Sequence, residues 1–534
     1  MASNLDPRLS AISRISAGIQ SFWQRPRSVS SVEIFWSLLL AMVASRCCVA
    51  MYGMRIYSHD GFMVLDGAWR MLNGQRPHLD FNSMIGPAAY LPTVIGLLLA
   101  SNTAAGFGYG QALAALVLGT WAYLLGAKLL YEVPRVIYAL CVAAIAVSPA
   151  LVGLSPFALT PGATYNRYVY ALLGVLLLEC LSTKVGSELI AGLSSGAAIA
   201  ILAFTKITGL FVGVALLVAL IPQRTQTFWR WFGFAAGAIS VGLCFLCYLR
   251  FDLLAVIRDL AITAGAKRVR ITDIYLLNSI ALDAGIALLL TFGASSFLID
   301  SGKSRAAMHE LLAGVSVTVA SLLLIFGNFQ PSELPLLGFY FLTVGQRLLA
   351  NRPRTSTEGS GMLSLMIGGG AIFAGISIVS AIASLSIALW VMMYSGRGAP
   401  HFQSQALRQF VPVRDDESYT SFVNDGFSLL KMYRKPGERV MSLDFTNPFS
   451  YGLWIPPAPG GSTNLQFNGS FNVKHNVSPE KLFGAADLVM LPKNFSDGSL
   501  QLTVPMIYGP FLDSHFQLVA ESLDWKLYRR LNSF

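Results

Sequence analysis

The sequence has few charged residues for its length. Of 534 residues only 12% are charged, whereas 54% are hydrophobic. Soluble domains carry about 25% charged residues on average, so this composition excludes an ordinary soluble protein. Long apolar stretches recur between residues 33 and 396. The pattern predicts a mainly α fold, a polytopic transmembrane helical bundle.

Cysteine is also scarce, and none of the six cysteines lies beyond residue 396. A disulfide framework is therefore excluded for the C-terminal part of the chain. Cys244 and Cys247 form a CxxC motif, but they lie inside a predicted membrane helix and lack the βαβ context of a redox site. We interpret them as small apolar packing residues.

Residues 397–534 contain no run of 18 apolar residues and are rich in Pro, Asn and Gly. We therefore predict three parts: an N-terminal segment 1–32, a membrane domain 33–396 and a small soluble α/β domain 397–534. Strand-like runs occur at 439–445, 488–491, 516–520 and 525–528, and helix-like runs at 418–431 and 479–486.

The positive charge is concentrated in short segments. The net charge is +10, yet no basic stripe with interleaved aromatic residues occurs, so we expect no nucleic-acid partner. Four arginines precede the first apolar run, which predicts a cytoplasmic N-terminus and a signal anchor that is not cleaved. The other basic segments lie between apolar stretches, as the positive-inside rule describes.

Eleven apolar stretches are candidate spans. They are 33–54, 106–130, 136–153, 167–182, 187–204, 208–222, 230–249, 272–299, 306–327, 333–350 and 362–395. Alternation puts the short basic loops inside only if a twelfth run, 84–101, does not cross. This run begins with Gly86-Pro87 and is interrupted by Pro92, so we predict a re-entrant or juxtamembrane helix. The topology then places the first loop, 55–105, and the tail on the outer, periplasmic side of the membrane.

One outer loop breaks the charge rule. Residues 250–271 carry five cations, Arg250, Arg258, Lys267, Arg268 and Arg270. The loop is either assigned to the wrong side or retains these cations to bind an anion.

The first outer loop contains the most distinctive sequence. Asp60 follows the first span, and an amphipathic stretch from Phe62 to Leu72 could lie in the membrane interface. Asn73-Gly74 ends this stretch. The motif Gly74-x-x-Pro77-x-x-Asp80-Phe81 begins there, and the pair Gly86-Pro87 follows it. This loop resembles the first periplasmic or lumenal loop of the GT-C superfamily of integral membrane glycosyltransferases, such as protein O-mannosyltransferases and lipid A aminoarabinose transferases. The odd number of spans and the outer soluble tail are also similar.

The resemblance implies that Asp60 is the essential carboxylate. A carboxylate can take the proton of an acceptor hydroxyl as that hydroxyl attacks the anomeric carbon of a sugar. The alternative is that Asp60 caps the helix that follows. His59 is a candidate for substrate binding and is expected to act as a hydrogen-bonding partner rather than a metal ligand. Asp80 either contacts the substrate or holds an extended turn.

The resemblance also implies a polyprenyl-phosphate leaving group, which needs cations at the membrane boundary. The candidate phosphate-binding residues are Lys206, Arg268, Arg270, Arg167 and Lys267. For Lys206 the alternative is a lysine that snorkels at a helix end. For the cluster after residue 266 the alternative is binding to anionic lipid headgroups.

Further substrate-binding candidates are polar residues at the outer ends of spans. They are Asn166, Asn328 and Gln330. For the turn of Asn328 and Gln330, an ordinary helix cap is the alternative. One departure from the family is that the loop 154–166 contains no Asp or Glu, and the outer loops contain no Asp-x-Asp pair. We therefore predict no metal cofactor.

The resulting expectation is an inverting hexosyl- or pentosyltransferase of the bacterial inner membrane. It would move a sugar from a polyprenyl-phosphate carrier to a glycolipid, polysaccharide or protein acceptor on the outer face. The alternatives are a transporter or flippase of lipid-linked sugars, a polysaccharide polymerase or ligase, and an assembly subunit without activity. A flippase predicts internal inverted repeats, and the sequence shows no convincing repeat.

Overall fold

The structure is a computed structural model. It describes residues 29–151, 154–181, 187–220, 227–267, 284–300, 302–328, 335–350, 360–395, 398–413 and 417–531. Eighteen α-helices and six strands lie within these ranges.

Fourteen helices precede the tail. They are α1 (Val29–Val49), α2 (His59–Leu72), α3 (Pro87–Leu99), α4 (Ala105–Leu129), α5 (Glu132–Val147), α6 (Thr164–Leu181), α7 (Glu188–Thr205), α8 (Ile207–Leu220), α9 (Phe228–Tyr248), α10 (Leu253–Ala266), α11 (Gly285–Asp300), α12 (Ser304–Asn328), α13 (Pro335–Ala350) and α14 (Ser360–Trp390). The tail contains α15 (Glu417–Tyr433), α16 (Phe449–Gly452), α17 (Pro479–Phe483) and α18 (Leu500–His515). The strands are β1 (Met51–Met54), β2 (Phe410–Pro412), β3 (Val440–Ser442), β4 (Leu488–Pro492), β5 (Phe516–Glu521) and β6 (Trp525–Arg530).

Each of the eleven predicted spans corresponds to a described helix: α1, α4 to α9, and α11 to α14. Six segments within the described residues are long and apolar enough to cross a membrane: Ser31–Val49, Ala105–Ala127, Glu188–Thr205, Phe228–Tyr248, Ser304–Ile325 and Gly368–Tyr394. The helix α9 exposes Phe228, Trp229, Phe232 and Ile239. Large apolar side chains on the outside of a bundle fit a lipid environment. The predicted fold class, a multi-pass helical bundle with small sheets, is confirmed.

The first span ends earlier than predicted. The sequence suggested a span to residue 54, but α1 stops at Val49 because Ala50 adopts a left-handed φ of 49°. Residues 51–54 instead form β1, which pairs in parallel with β2 of the tail, with Met51 opposite Phe410. The backbone hydrogen bonds of this segment are therefore satisfied by the tail and not by a longer helix.

The run 84–101 contains a short helix. The 13 residues of α3 correspond to about 20 Å at 1.5 Å per residue, against about 30 Å for the hydrocarbon core. The predicted span α8 has 14 residues and is almost as short, so length alone does not separate the two helices, and the re-entrant placement of α3 stays a prediction.

The helix α2 is buried against the tail. Its residues from Gly61 to Ala68 are buried, as is Arg70. Its apolar face therefore packs against protein, and its position in the membrane plane stays a prediction. The buried Asp66 accepts a hydrogen bond from Arg70 at 2.7 Å, and Arg70 also donates to the main-chain carbonyls of Ala458 and Gly460.

The tail contains a four-stranded sheet in the order β3-β4-β6-β5. The strands β3 and β4 run parallel, and the other neighbours are antiparallel. All four predicted strands and both predicted helices have counterparts. The helix α18, which contains Pro505 and Pro510, is an additional element that was not predicted.

The tail shares a hydrophobic core with the first outer loop. Phe62 and Tyr90 from the loop belong to the same buried cluster as Phe410, Phe427 and Trp525 from the tail. Because this core is continuous, the tail fixes the position of α2.

A labelling experiment tests the predicted topology. Ser101, at the end of the α3 segment, and Ser304, at the start of α12, are both exposed. We expect Ser101→Cys to react with a membrane-impermeant maleimide on intact spheroplasts, and Ser304→Cys only after permeabilisation, each measured above the wild-type background. Reaction of Ser101→Cys only after permeabilisation would mean that the α3 segment crosses.

Candidate functional site

Asp60 lies in the first turn of α2 and is partly exposed. Its side chain is 26% exposed. The residue at the N-cap position is Ser58, not Asp60, so the capping alternative does not describe this carboxylate. One of its oxygens, Oδ1, lies 3.7 Å from Nε2 of His59. The other, Oδ2, faces the loop between α5 and α6, where a Cβ on Gly162 would lie 2.5 Å from it.

The loop beside Asp60 is held by Arg167. The guanidinium is buried and donates hydrogen bonds to the main-chain carbonyls of Ser148, Thr160 and Gly162, the last two at 3.0 and 3.2 Å. Arg167 was predicted to bind phosphate. The structure gives it contacts beneath the loop, where it fixes the surface against which the Asp60 carboxylate rests.

Lys206 lies next to the same loop, between α7 and α8. Its ammonium is buried, donates to Oδ1 of Asn166 at 2.8 Å and lies 4.9 Å from the ring centroid of Tyr165. A buried, bonded lysine is not a snorkelling lysine. Tyr165 is close enough to Asp60 for the charge of the carboxylate to act on its phenol. Tyr165 therefore contacts the ammonium and lies in the same region as the carboxylate.

Gly86 explains how the α3 segment reaches this site. Its N–H donates to the carbonyl of Thr205 at 3.0 Å, and a Cβ at this position would overlap the carbonyl of Phe204. Only glycine permits this approach. The Gly86-Pro87 pair thus fixes the first outer loop against the turn that carries Lys206.

The tail forms the opposite side of the site. The carbonyl of His59 accepts a hydrogen bond from Oγ1 of Thr446 at 3.2 Å. The imidazole meets the ring of Phe445 edge-on at 4.6 Å between centroids, and that of Tyr419 at 6.1 Å. These are ring contacts and one main-chain hydrogen bond, so hydrogen bonding by the imidazole stays a prediction.

A second carboxyl, Asp444, stands behind His59. Asp444 follows β3 and is buried, and it accepts hydrogen bonds from the N–H and hydroxyl of Ser496, which follows β4. Both residues therefore lie at the carboxyl edge of the parallel pair β3–β4. Burial raises the pKa of the Asp444 carboxyl to about 6, and the hydrogen bonds and the charge of His59 oppose the rise.

Asp80 holds a turn in the first outer loop. Its carboxylate accepts from the N–H of Arg76 at 2.7 Å, and its carbonyl accepts from the N–H of Gly460 in the tail at 2.7 Å. These contacts correspond to the structural alternative. Contact of Asp80 with a substrate stays a prediction.

The helix α10 is tied to the site through Asp259. This buried carboxylate contacts Nδ1 of His78 at 3.3 Å, the N–H of Ser83 at 3.2 Å and Nζ of Lys481 at 3.0 Å. It thus joins α10, the first outer loop and the tail. Lys267 follows α10 directly, and partial burial lowers the pKa of its ammonium.

Three predicted residues, Arg268, Arg270 and Gln330, lie outside the described residues. Asn328 is the last residue of α12. Among the described residues, no group of three or more His, Cys, Asp or Glu side chains could hold a metal ion.

Sequence reasoning missed Gly162, Tyr165 and Asp444. Gly162 and Tyr165 could have been found from the sequence, because the turn Thr160-Pro161-Gly162 comes just before Tyr165 and the candidate Asn166. Asp444 follows a predicted strand, and polar residues at the carboxyl ends of parallel strands often line a site.

Comparisons with known proteins find solved structures that are similar to this chain. No family model and no curated protein matches the sequence. The chain is similar to the crystal structure of ArnT from Cupriavidus metallidurans bound to undecaprenyl phosphate. The identity is 12% and the TM-score 0.49, over 95% of this chain and 99% of that one. It is similar also to the apo state of the same protein, with 11% identity and a TM-score of 0.43, over 94% and 98% of the two chains. ArnT is a lipid A aminoarabinose transferase, one of the proteins that the first outer loop resembles in sequence.

The raised pKa of Asp444 generates a stability prediction. The folded protein holds this proton more tightly than the unfolded chain does, so the stabilisation is complete below the ordinary pKa of 3.8 and is lost as the pH rises through about 6. We expect Asp444→Asn, which mimics the protonated form, to raise the thermal unfolding midpoint at pH 7.5 and to raise it about half as much at pH 5, because the loss begins as the pH passes the ordinary pKa. At 1.36 kcal/mol per unit the upper limit is about 3 kcal/mol.

The exposed Asp513 provides the matched control, and Asp513→Asn should have little effect at either pH. A midpoint for Asp444→Asn below that of the wild type at pH 7.5 would contradict the assignment.

Proposed function

We propose that this protein is an integral membrane glycosyltransferase that uses a polyprenyl-phosphate-linked sugar as donor. The acceptor is a hydroxyl group on the outer face of the bacterial inner membrane, and the N-terminus is cytoplasmic. The observation that carries the proposal is the arrangement around the loop 160–166. A partly exposed carboxylate, Asp60, and an ammonium, Lys206, are held by the same short segment.

Asp60 serves as the general base in this proposal. The acceptor hydroxyl gives its proton to the carboxylate while its oxygen attacks the anomeric carbon. The bond from that carbon to the phosphate oxygen breaks, and the polyprenyl phosphate leaves with the electron pair. One displacement from the face opposite the phosphate inverts the anomeric configuration.

Lys206 stabilises the leaving phosphate. Negative charge grows on the phosphate oxygens in the transition state, and a fixed cation stabilises it without reorganisation. Asn166 and the ring of Tyr165 hold the ammonium in place. Lys267, Arg268 and Arg270 supply further cations near the membrane boundary, and the lipid part of the donor enters from the bilayer.

Replacement of the base tests the proposal. We expect Asp60→Asn to lower kcat by about 100- to 10,000-fold, the range that a general base contributes, with little change in the donor KM. The assay contains full-length protein in nanodiscs, short-chain polyprenyl-phosphate sugars and candidate glycan, lipid and protein acceptors. Asp513→Asn is the control carboxylate variant. Wild-type turnover by Asp60→Asn would remove Asp60 from the mechanism.

A second test concerns the position of the carboxylate rather than its presence. The Cβ added by Gly162→Ala would lie 2.5 Å from Oδ2 of Asp60 and 3.1 Å from Oγ1 of Thr160. Because a displacement of 1 Å can cost about 100-fold in rate, we expect kcat to fall by that order. In α9, Gly242 has no atom within 4 Å of an added Cβ, so Gly242→Ala should keep its activity. Equal rates for the two variants would show that this contact does not position Asp60.

A further inference from the structure

Tyr57 stands three residues before Asp60 in an unusual conformation. Its φ is +55°, in the left-handed region, which is a genuine outlier for a bulky residue. The chain on both sides is fixed: the N–H groups of Arg55 and Ile56 donate to the carbonyl of Leu159, and the carbonyl of Tyr57 accepts from the N–H of Asp60 at 3.0 Å. Such strain costs of order 1–3 kcal/mol and persists where the surroundings impose it, often at functional sites.

Packing does not account for this residue. The Tyr57 side chain is 54% exposed, so little of its apolar surface is removed from water. Its ring meets the imidazole of His59 at 6.1 Å and 77°. His59 in turn rests on Phe445 and Tyr419 of the tail. Together these rings form an aromatic surface whose outermost member is open to solvent.

This aromatic surface lies on one particular side of the base. Oδ2 of Asp60 faces the loop with Gly162, which continues to Tyr165 and Lys206, whereas Oδ1 faces His59. In an inverting displacement the acceptor and the leaving phosphate lie on opposite sides of the anomeric carbon. If the phosphate lies beside Lys206, the acceptor lies beside His59 and Tyr57.

We propose that Tyr57 and His59, backed by Tyr419 and Phe445, form a stacking subsite for a sugar ring of the acceptor. The electron-rich face of an aromatic ring attracts the positively polarised C–H edge of a sugar. The carboxylate of Asp60 and the buried carboxyl of Asp444 disfavour anionic groups here. The acceptor is therefore a carbohydrate that presents a neutral or amine-bearing ring. This inference rests on the proposed function for its assignment to the acceptor.

The test measures sugar binding without a donor, by saturation-transfer difference NMR on the full-length protein in nanodiscs. The probes are methyl glycosides of neutral hexoses and pentoses, of 2-amino sugars and of glucuronic acid. We expect saturation transfer to the ring protons of at least one neutral or amino glycoside and none to the glucuronide.

The variant Tyr57→Gly removes the ring and suits a positive φ, so it should fold at least as well as the wild type. We expect it to lower the affinity for the bound glycoside at least tenfold, and Tyr57→Phe to restore it. Tyr433 is also exposed, at 41%. The control variant Tyr433→Leu should bind the glycoside as the wild type does. Absence of binding by the wild type, or unchanged binding by Tyr57→Gly, would overturn the subsite.

The two proposals fail separately. Binding that depends on Tyr57 without any transfer reaction would retain a sugar-binding site and remove the transferase. Transfer that requires Asp60, with an acceptor KM unchanged in Tyr57→Gly, would retain the transferase and remove the stacking subsite.

Discussion

The site depends on the hydrogen bonds that Arg167 donates to the main chain of the loop between α5 and α6. One guanidinium joins the carbonyls of Ser148, Thr160 and Gly162, and the arginine is buried. A buried arginine is costly unless its N–H groups are bonded, and main-chain carbonyls meet this need without neutralising its charge. The same loop then meets Asp60 through Gly162 and Lys206 through Asn166.

The tail contributes a second constraint, because it supplies part of the core around α2. The start of α2 is fixed by the pairing of β1 with β2 and by the hydrophobic cluster that contains Phe62 and Trp525. The turn after β3 then contacts His59 directly. Asp259 adds a polar connection, since it contacts the first outer loop and Lys481 together. A site assembled from three distant parts of the chain explains why the carboxylate can stay partly exposed and yet be held.

Periodicity and composition predicted the helical bundle, the strands of the tail and the importance of the first outer loop, because these depend on local pattern. Periodicity and composition did not predict features that depend on contacts between distant parts of the chain. The stretch 62–72 is amphipathic, but the tail covers it. The contacts of Arg167 with main-chain carbonyls are visible only in the fold, and phosphate binding by Arg167 stays a prediction. Asp444 lies 384 residues from Asp60, and no local pattern connects two such positions. The conformation of Tyr57 is likewise imposed from outside, by Leu159.

The central claim is that a lipid-linked phosphate and Asp60 meet across the loop 160–166. A cryo-EM structure of the full-length protein in nanodiscs with a short-chain polyprenyl phosphate tests this claim most directly. We expect phosphate density within about 4 Å of Nζ of Lys206, the distance of an ion pair. This density should lie on the Tyr165 side of the Asp60 carboxylate. Phosphate density bound elsewhere on the protein, with none beside Lys206, would contradict it.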